Sequence, residues 1–132
     1  MKAYKIFVLL FFSLFFFACG NNWNDKRAGE LYQKYHDNVP ENIPTADLQE
    51  IRDLLIARYN DIIRLHKELD GKSPREAEKI KQQFNESHSN GLRLEYLWRA
   101  DGVFKQAAQT DRDEINRLHD LADTPILNSQ IK

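Results

Sequence analysis

The sequence predicts an all-α domain, a small bundle of three to four helices joined by short turns. Three observations predict it. Apolar residues recur three and four apart through most of the chain after residue 24, helix start and stop signals punctuate those stretches, and no run alternates apolar and polar as a half-buried strand would. Only five Gly and four Pro interrupt 132 residues, too few for the many turns of an all-β chain.

The first helix is expected over 24–37. Asn24 can cap it, Asp25 suits its first turn, and Ala28, Leu31, Tyr32 and Tyr35 follow at helical spacing, although Gly29 weakens it. Pro40 and Pro44 then mark an extended connector. A second helix starts with Thr45 as its N-cap and carries Leu48, Ile51, Leu55, Ile62, Leu65 and Leu69. Leu54, Ile56, Tyr59 and Ile63 widen that stripe beyond a two-stranded seam, which suits a globular bundle. Asp70-Gly71 ends it, glycine supplying the left-handed conformation. The third helix opens on Ser73-Pro74-Arg75-Glu76, a capping box with proline at the first helical position. Ala77, Ile80 and Phe84 are its inner face, and its polar remainder places it at the edge of the bundle. Asn90-Gly91 predicts a left-handed turn. Beyond it Leu92, Tyr96, Leu97, Ala100, Val103, Phe104, Ala107 and Ala108 form a broad apolar face. From there the helix either runs unbroken through Ile115, Leu118 and Ala122 or restarts at Thr110, and Thr124-Pro125 ends it. The bundle domain is assigned to 24–127, with 128–132 a loosely held C-terminus.

The N-terminus has a different character. Lys2 and Lys5 precede an apolar run from Ile6 to Ala18, broken only by Ser13. As a helix it would reach about 20 Å, short of the roughly 30 Å hydrocarbon layer, so a cleaved export signal is the better reading. The run stops at Cys19, the single cysteine of the chain. Phe16-Phe17-Ala18-Cys19 resembles the lipobox of bacterial lipoprotein precursors. The resemblance implies a signal peptide over 1–18, cleavage before Cys19, acylation of Cys19 and a lipidated tether over 19–23. It also implies a bilayer as partner. Gly20 and Asn21 lack the Asp after Cys that retains many lipoproteins at the inner membrane, which favours the outer membrane. Ordinary cleavage after Gly20 is the alternative. An exported single thiol is a liability unless it is capped, and two or three acyl chains hold a protein where one does not. Trp23 either dips into the membrane interface or caps the core.

Cleavage before Cys19 leaves 114 residues with 17 basic and 20 acidic side chains, a net charge of −3. That balance gives no footprint for nucleic acid. With no second cysteine there is neither a disulfide framework nor a thiolate zinc site. His36, His66, His88 and His119 form no metal or catalytic motif; His66 and His119 border apolar stripes, and His88 lies solvated in a turn. The acidic residues follow helix first-turn logic and match no calcium loop. No catalytic residue, metal ligand or cofactor is assigned, and no enzymatic activity is expected.

Two charges interrupt the seams, Arg58 between Leu55 and Ile62, and Asp111 between Ala108 and Ile115. They either meet as a partly buried pair that fixes register or, the preferred reading, each points outward. The segment Leu94 to Phe104 holds too many large side chains for one helix face. Leu94 and Trp98 share one side, Tyr96 and Ala100 another, so the helix is either buried nearly all round or exposes a face to a partner. Gly102 leaves room for another backbone. If the domain has a contact surface, Tyr96, Trp98 and Arg99 carry it, being of the residue types that dominate interfaces. The resulting expectation is a lipid-anchored envelope protein acting through an unknown protein partner, as adaptor, assembly factor or surface ligand. An inhibitor or immunity protein is the alternative, and an envelope enzyme or small-ligand carrier stands behind both.

Overall fold

The computed structural model describes residues 22–131; the segment expected to be a signal peptide, Cys19 and most of the expected tether lie outside the described residues. The fold is all-α, with no strand among the described residues, and comprises five helices: α1 (Asp25–Tyr35), α2 (Thr45–Leu69), α3 (Pro74–Ser87), α4 (Gly91–Arg99) and α5 (Gln109–Ile131). A short 3-10 turn, Val103–Gln106, separates the last two. The count exceeds the expected three to four because the chain breaks after Arg99. Gly102 takes φ +81°, a left-handed conformation that ends the path of α4, and the atoms nearest to where its Cβ would stand belong to the Lys105 side chain. Its glycine is needed for that turn and not, as expected, for close approach of a backbone.

Local signals placed most boundaries. The Asn24 side chain accepts from the Arg27 N–H, and Ser73 accepts from the Glu76 N–H with Pro74 at the first helical position. Gly71 follows the end of α2 at φ +77°. Three boundaries differ from expectation. Thr45 is the first residue of α2 and Pro44 its cap, without a side-chain bond. Gly91 is helical and not left-handed, the turn before it closing from Gly91 N–H to His88 O at 2.9 Å. Helix α5 runs past Thr124-Pro125, although proline can donate no N–H to the turn before it.

Helix α2 is the centre. Leu54 to Tyr59 are all buried, six consecutive residues, so this stretch is enclosed on every side. Helix α1 lies against it, with Arg27 beside Glu50 and Tyr35 beside Asp47, while Trp23, just ahead of α1, meets Arg58 further along. Helix α5 runs the same way as α2, pairing Asp111 with Arg52 and His119 with Tyr59. Helix α4 runs alongside α1, from the bonds of Asn90 with Asp25 at one end to His36 with Asp101 at the other. Gly29 makes that approach feasible, since a Cβ there would stand 2.7 Å from the Asn90 amide. Helix α3 buries no residue fully and packs Ala77, Ile80 and Phe84 inward, the edge position its sequence predicts.

The core joins Leu31, Ile51, Leu55, Tyr59, Leu94, Leu97, Trp98, Val103 and Ile115. The connector between α1 and α2 is fastened to it by one amide. Gln106 accepts from the Ile43 N–H at 2.7 Å and donates to the Pro40 carbonyl at 2.8 Å. Gln106→Ala is expected to cost about 1–2 kcal/mol, because a part-buried donor and acceptor both lose their partner; a denaturant titration measures it.

Candidate functional site

A buried polar network ties α2, α3 and α4 together beneath Trp23. Arg58, 6% exposed, donates from Nε to Glu95 Oε2 at 2.8 Å, and Nη1 lies 3.1 Å from His88 Nδ1. A guanidinium only donates, so Nδ1 accepts and Nε2 carries the proton, which it gives to Asp61 Oδ2 at 3.0 Å. The Tyr59 hydroxyl donates to the other Glu95 oxygen at 2.8 Å. Burial first, then the Glu95 carboxylate, holds that hydroxyl above the usual phenol range. Both faces of the His88 ring are covered, by Trp23 with centroids 4.5 Å apart and by Phe84 at 4.3 Å, and the Trp23 indole N–H donates to Ser87 O at 2.8 Å.

These contacts correct two expectations. His88 is 7% exposed and not solvated, because the turn that carries it folds under Trp23. Arg58 points inward, and its partner is Glu95 and not Asp111; Asp111 instead accepts from Arg52 Nε at 2.7 Å. The arginine can enter because Gly91 has no side chain: a Cβ there would overlap the Arg58 guanidinium. Trp23 caps the core, one residue before the expected start of the domain. In this arrangement the His88 lone pair is already engaged by a donor, so the network works as a joint between helices. A groove of about 410 Å³ lies beside it between α2 and α3, with Trp23, Leu65, Ile80 and Phe84 among its apolar walls and Arg64 and Glu68 among its charged ones.

The residues expected to carry a contact surface separate in the structure. Trp98 is 2% exposed and belongs to the core, while Tyr96 and Arg99 are exposed. Tyr96, 53% exposed, meets the His36 ring edge-on at 5.7 Å; His36 in turn stacks on Tyr32 at 4.4 Å and bonds Asp101 at 2.9 Å. Leu92, one turn before Tyr96, is 74% exposed. Sequence had placed Leu92, Tyr96, Ala100 and Ala108 on an inner face; the break at Gly102 resets the helical phase and leaves them outside. Leu94 and Trp98 do share one face and Tyr96 and Ala100 the other, as the spacing required. A second cleft, of about 220 Å³, opens where α4, the 3-10 turn and α5 meet, lined by Trp98, Arg99, Phe104, Arg112 and Asn116. Arg112 was missed because it reads as one surface charge on an amphipathic helix.

At the other end of α1, Asp47 is a buried acid accepting from the Tyr35 hydroxyl and from Lys34 Nζ at 2.9 Å, with Arg27 Nη2 at 3.7 Å. The Tyr35 and Lys34 bonds hold its carboxyl below the usual range. A depressed carboxylate contributes stability above its unfolded value, about 4, that is lost as pH falls through the folded value. His66, between α2 and α5, is lowered by burial, so it favours folding when neutral and opposes it as pH drops below about 6.5. Stability is therefore expected to decline in two steps on acidification. Asp47→Asn should remove the lower step and His66→Gln the upper, as melting curves taken between neutral and acid pH will show.

Among the described residues no cluster of three or more His, Cys, Asp or Glu could hold a metal ion, and no helix is long and apolar enough to cross a membrane. Comparison with protein-family models, with curated proteins and with solved structures returned no match.

Proposed function

We propose that the protein is an exported bacterial lipoprotein, cut before Cys19 and anchored there by acyl chains, whose helical bundle acts by contact with another envelope protein. The observation that carries this reading is the run Phe16-Phe17-Ala18-Cys19 four residues ahead of Trp23, the first side chain fixed in the core. Four extended residues span at most about 14 Å, so an anchor at Cys19 would hold the bundle against its bilayer. The bundle would then present side chains of α1 and α4. Leu92 and Tyr96 stand out there as a ridge, flanked by Tyr32 and His36 and ending at Arg99, a mixture of aromatic, aliphatic and guanidinium groups of the kind found at the centre of interfaces. Gly20 and Asn21 favour the outer membrane. No enzymatic activity is part of this proposal.

The test has two stages. The intact mass of the membrane-fraction protein should equal residues 19–132 plus acyl chains and revert on Cys19→Ala. An unmodified mass beginning at residue 21 would remove the anchor and make the protein a secreted one. A photocrosslinker at Tyr96 should then capture one resident envelope protein stoichiometrically. Capture only when cells meet a foreign enzyme or toxin would replace the adaptor reading by that of an inhibitor, and no capture would overturn the contact surface.

A further inference from the structure

We infer that the cleft between α4, the 3-10 turn and α5 binds a carboxylate carried on a small apolar body. Two guanidiniums, Arg99 and Arg112, line it. The Arg112 Nε is fully buried and has no hydrogen-bond partner among the described residues. Buried charged donors are costly to leave unmade, and a native structure that keeps one calls for an explanation. Five arginines elsewhere, Arg27, Arg52, Arg58, Arg64 and, on α5 itself, Arg117, each pair with a carboxylate, and Arg93 bonds the Asn90 amide oxygen. Among the described residues no acid lines the cleft, and the acids of the flanking segments have other partners. Glu95 serves Arg58 and Tyr59, Asp101 serves His36, Asp111 serves Arg52, Asp113 accepts from Gln109 and Glu114 pairs with Arg117. Arg99 has the neutral Tyr59 hydroxyl as a hydrogen-bond partner, which supplies no negative charge. Two like charges thus share a recess without an anion.

The walls define the rest of the ligand. Trp98 and Phe104 supply aromatic surface, and Asn116 an amide that can donate. The volume of about 220 Å³ exceeds the roughly 150 Å³ that suffices for benzene in an apolar cavity, so one ring or one branched side chain fits beside the carboxylate. A guanidinium fork matches a carboxylate with two parallel bonds. The same chemistry could arrive as a free aryl acid or as the C-terminal residue of a protein chain. The inference does not depend on acylation of Cys19.

The intact protein, purified in detergent and labelled with nitrogen-15, tests it through the Arg112 Nε–H and Trp98 indole resonances. Benzoate should shift both saturably at concentrations up to about 10 mM, and benzamide, of the same shape without the charge, should not. The peptide Gly-Gly-Phe as free acid, set against its C-terminal amide, distinguishes the sources: tighter binding than benzoate assigns the cleft to a chain terminus, weaker binding to a small acid. Arg112→Gln and Arg99→Gln should each weaken the better probe about tenfold or more. Arg112→Gln should also leave the melting temperature of the free protein unchanged or raise it, since no intramolecular bond is lost and an unpaired buried donor is removed. Absence of a saturable shift with both acids, equal binding of benzamide, or unweakened binding in both folded variants would overturn the inference.

Discussion

Alanine at position 91 is expected to lower stability by about 3 kcal/mol, bringing the melting temperature down by roughly 10 °C. On a helix surface the same change would raise stability, because alanine is the better helix former by up to about 1 kcal/mol. The sign reverses here because the guanidinium of Arg58 fills the space a Cβ would take. Arg58 is flexible in principle, but it is held by Glu95 and His88 and cannot swing aside without giving up its bonds to both beneath Trp23. A thermal melt of Gly91→Ala decides the matter. An unchanged or higher midpoint would mean that the arginine finds another place at little cost.

Arg58→Met is expected to cost about 3–4 kcal/mol by a related route. Methionine can occupy the channel, but Glu95, on a largely buried face, keeps only the Tyr59 hydroxyl. Adding Glu95→Gln should recover a large part of the loss, since what remains buried is then neutral. The two positions should also be strongly coupled. In the Arg58→Met background there is no guanidinium to evict, so Gly91→Ala should add less than about 1 kcal/mol. Simple additivity of the two single changes would show that they act on separate features.

That network also shows where sequence reading stops. The caps at Asn24 and Ser73 and the left-handed Gly71 were legible because each is decided by atoms within a few residues along the chain. The inner face of α3 and the breadth of the α2 stripe were legible for a similar reason, as helical spacing fixes which residues share a side. Arg58, His88 and Gly91 were misread because the partners that fix their roles lie 27 or more positions away. Asn90-Gly91 has the composition of a left-handed turn, yet its glycine serves the passage of a side chain from another helix. The candidate cleft was half legible: Trp98 and Arg99 were singled out, though as an exposed patch, while Arg112 and Phe104 join them only because the chain turns at Gly102. Tyr96 was placed correctly on a side distinct from Trp98, but it and Leu92 had also been counted on one broad apolar face whose phase was carried through a helix that stops at Arg99.

The side-by-side placement of α1 and α4 fixes an order of events when the chain is made. The bonds at their ends join residues 65 positions apart, Asp25 with Asn90 and His36 with Asp101. Synthesis runs from the N-terminus at about 5–20 residues per second, so α1 exists for roughly 3–13 s before its partner has been made. Eleven residues with Gly29 near their centre are too few to hold helical form alone in water. Helices α2 and α3, joined by a four-residue turn, can pair as soon as both exist, whereas α1, which has α2 to lie against, must wait until α4 has followed before its second side is covered.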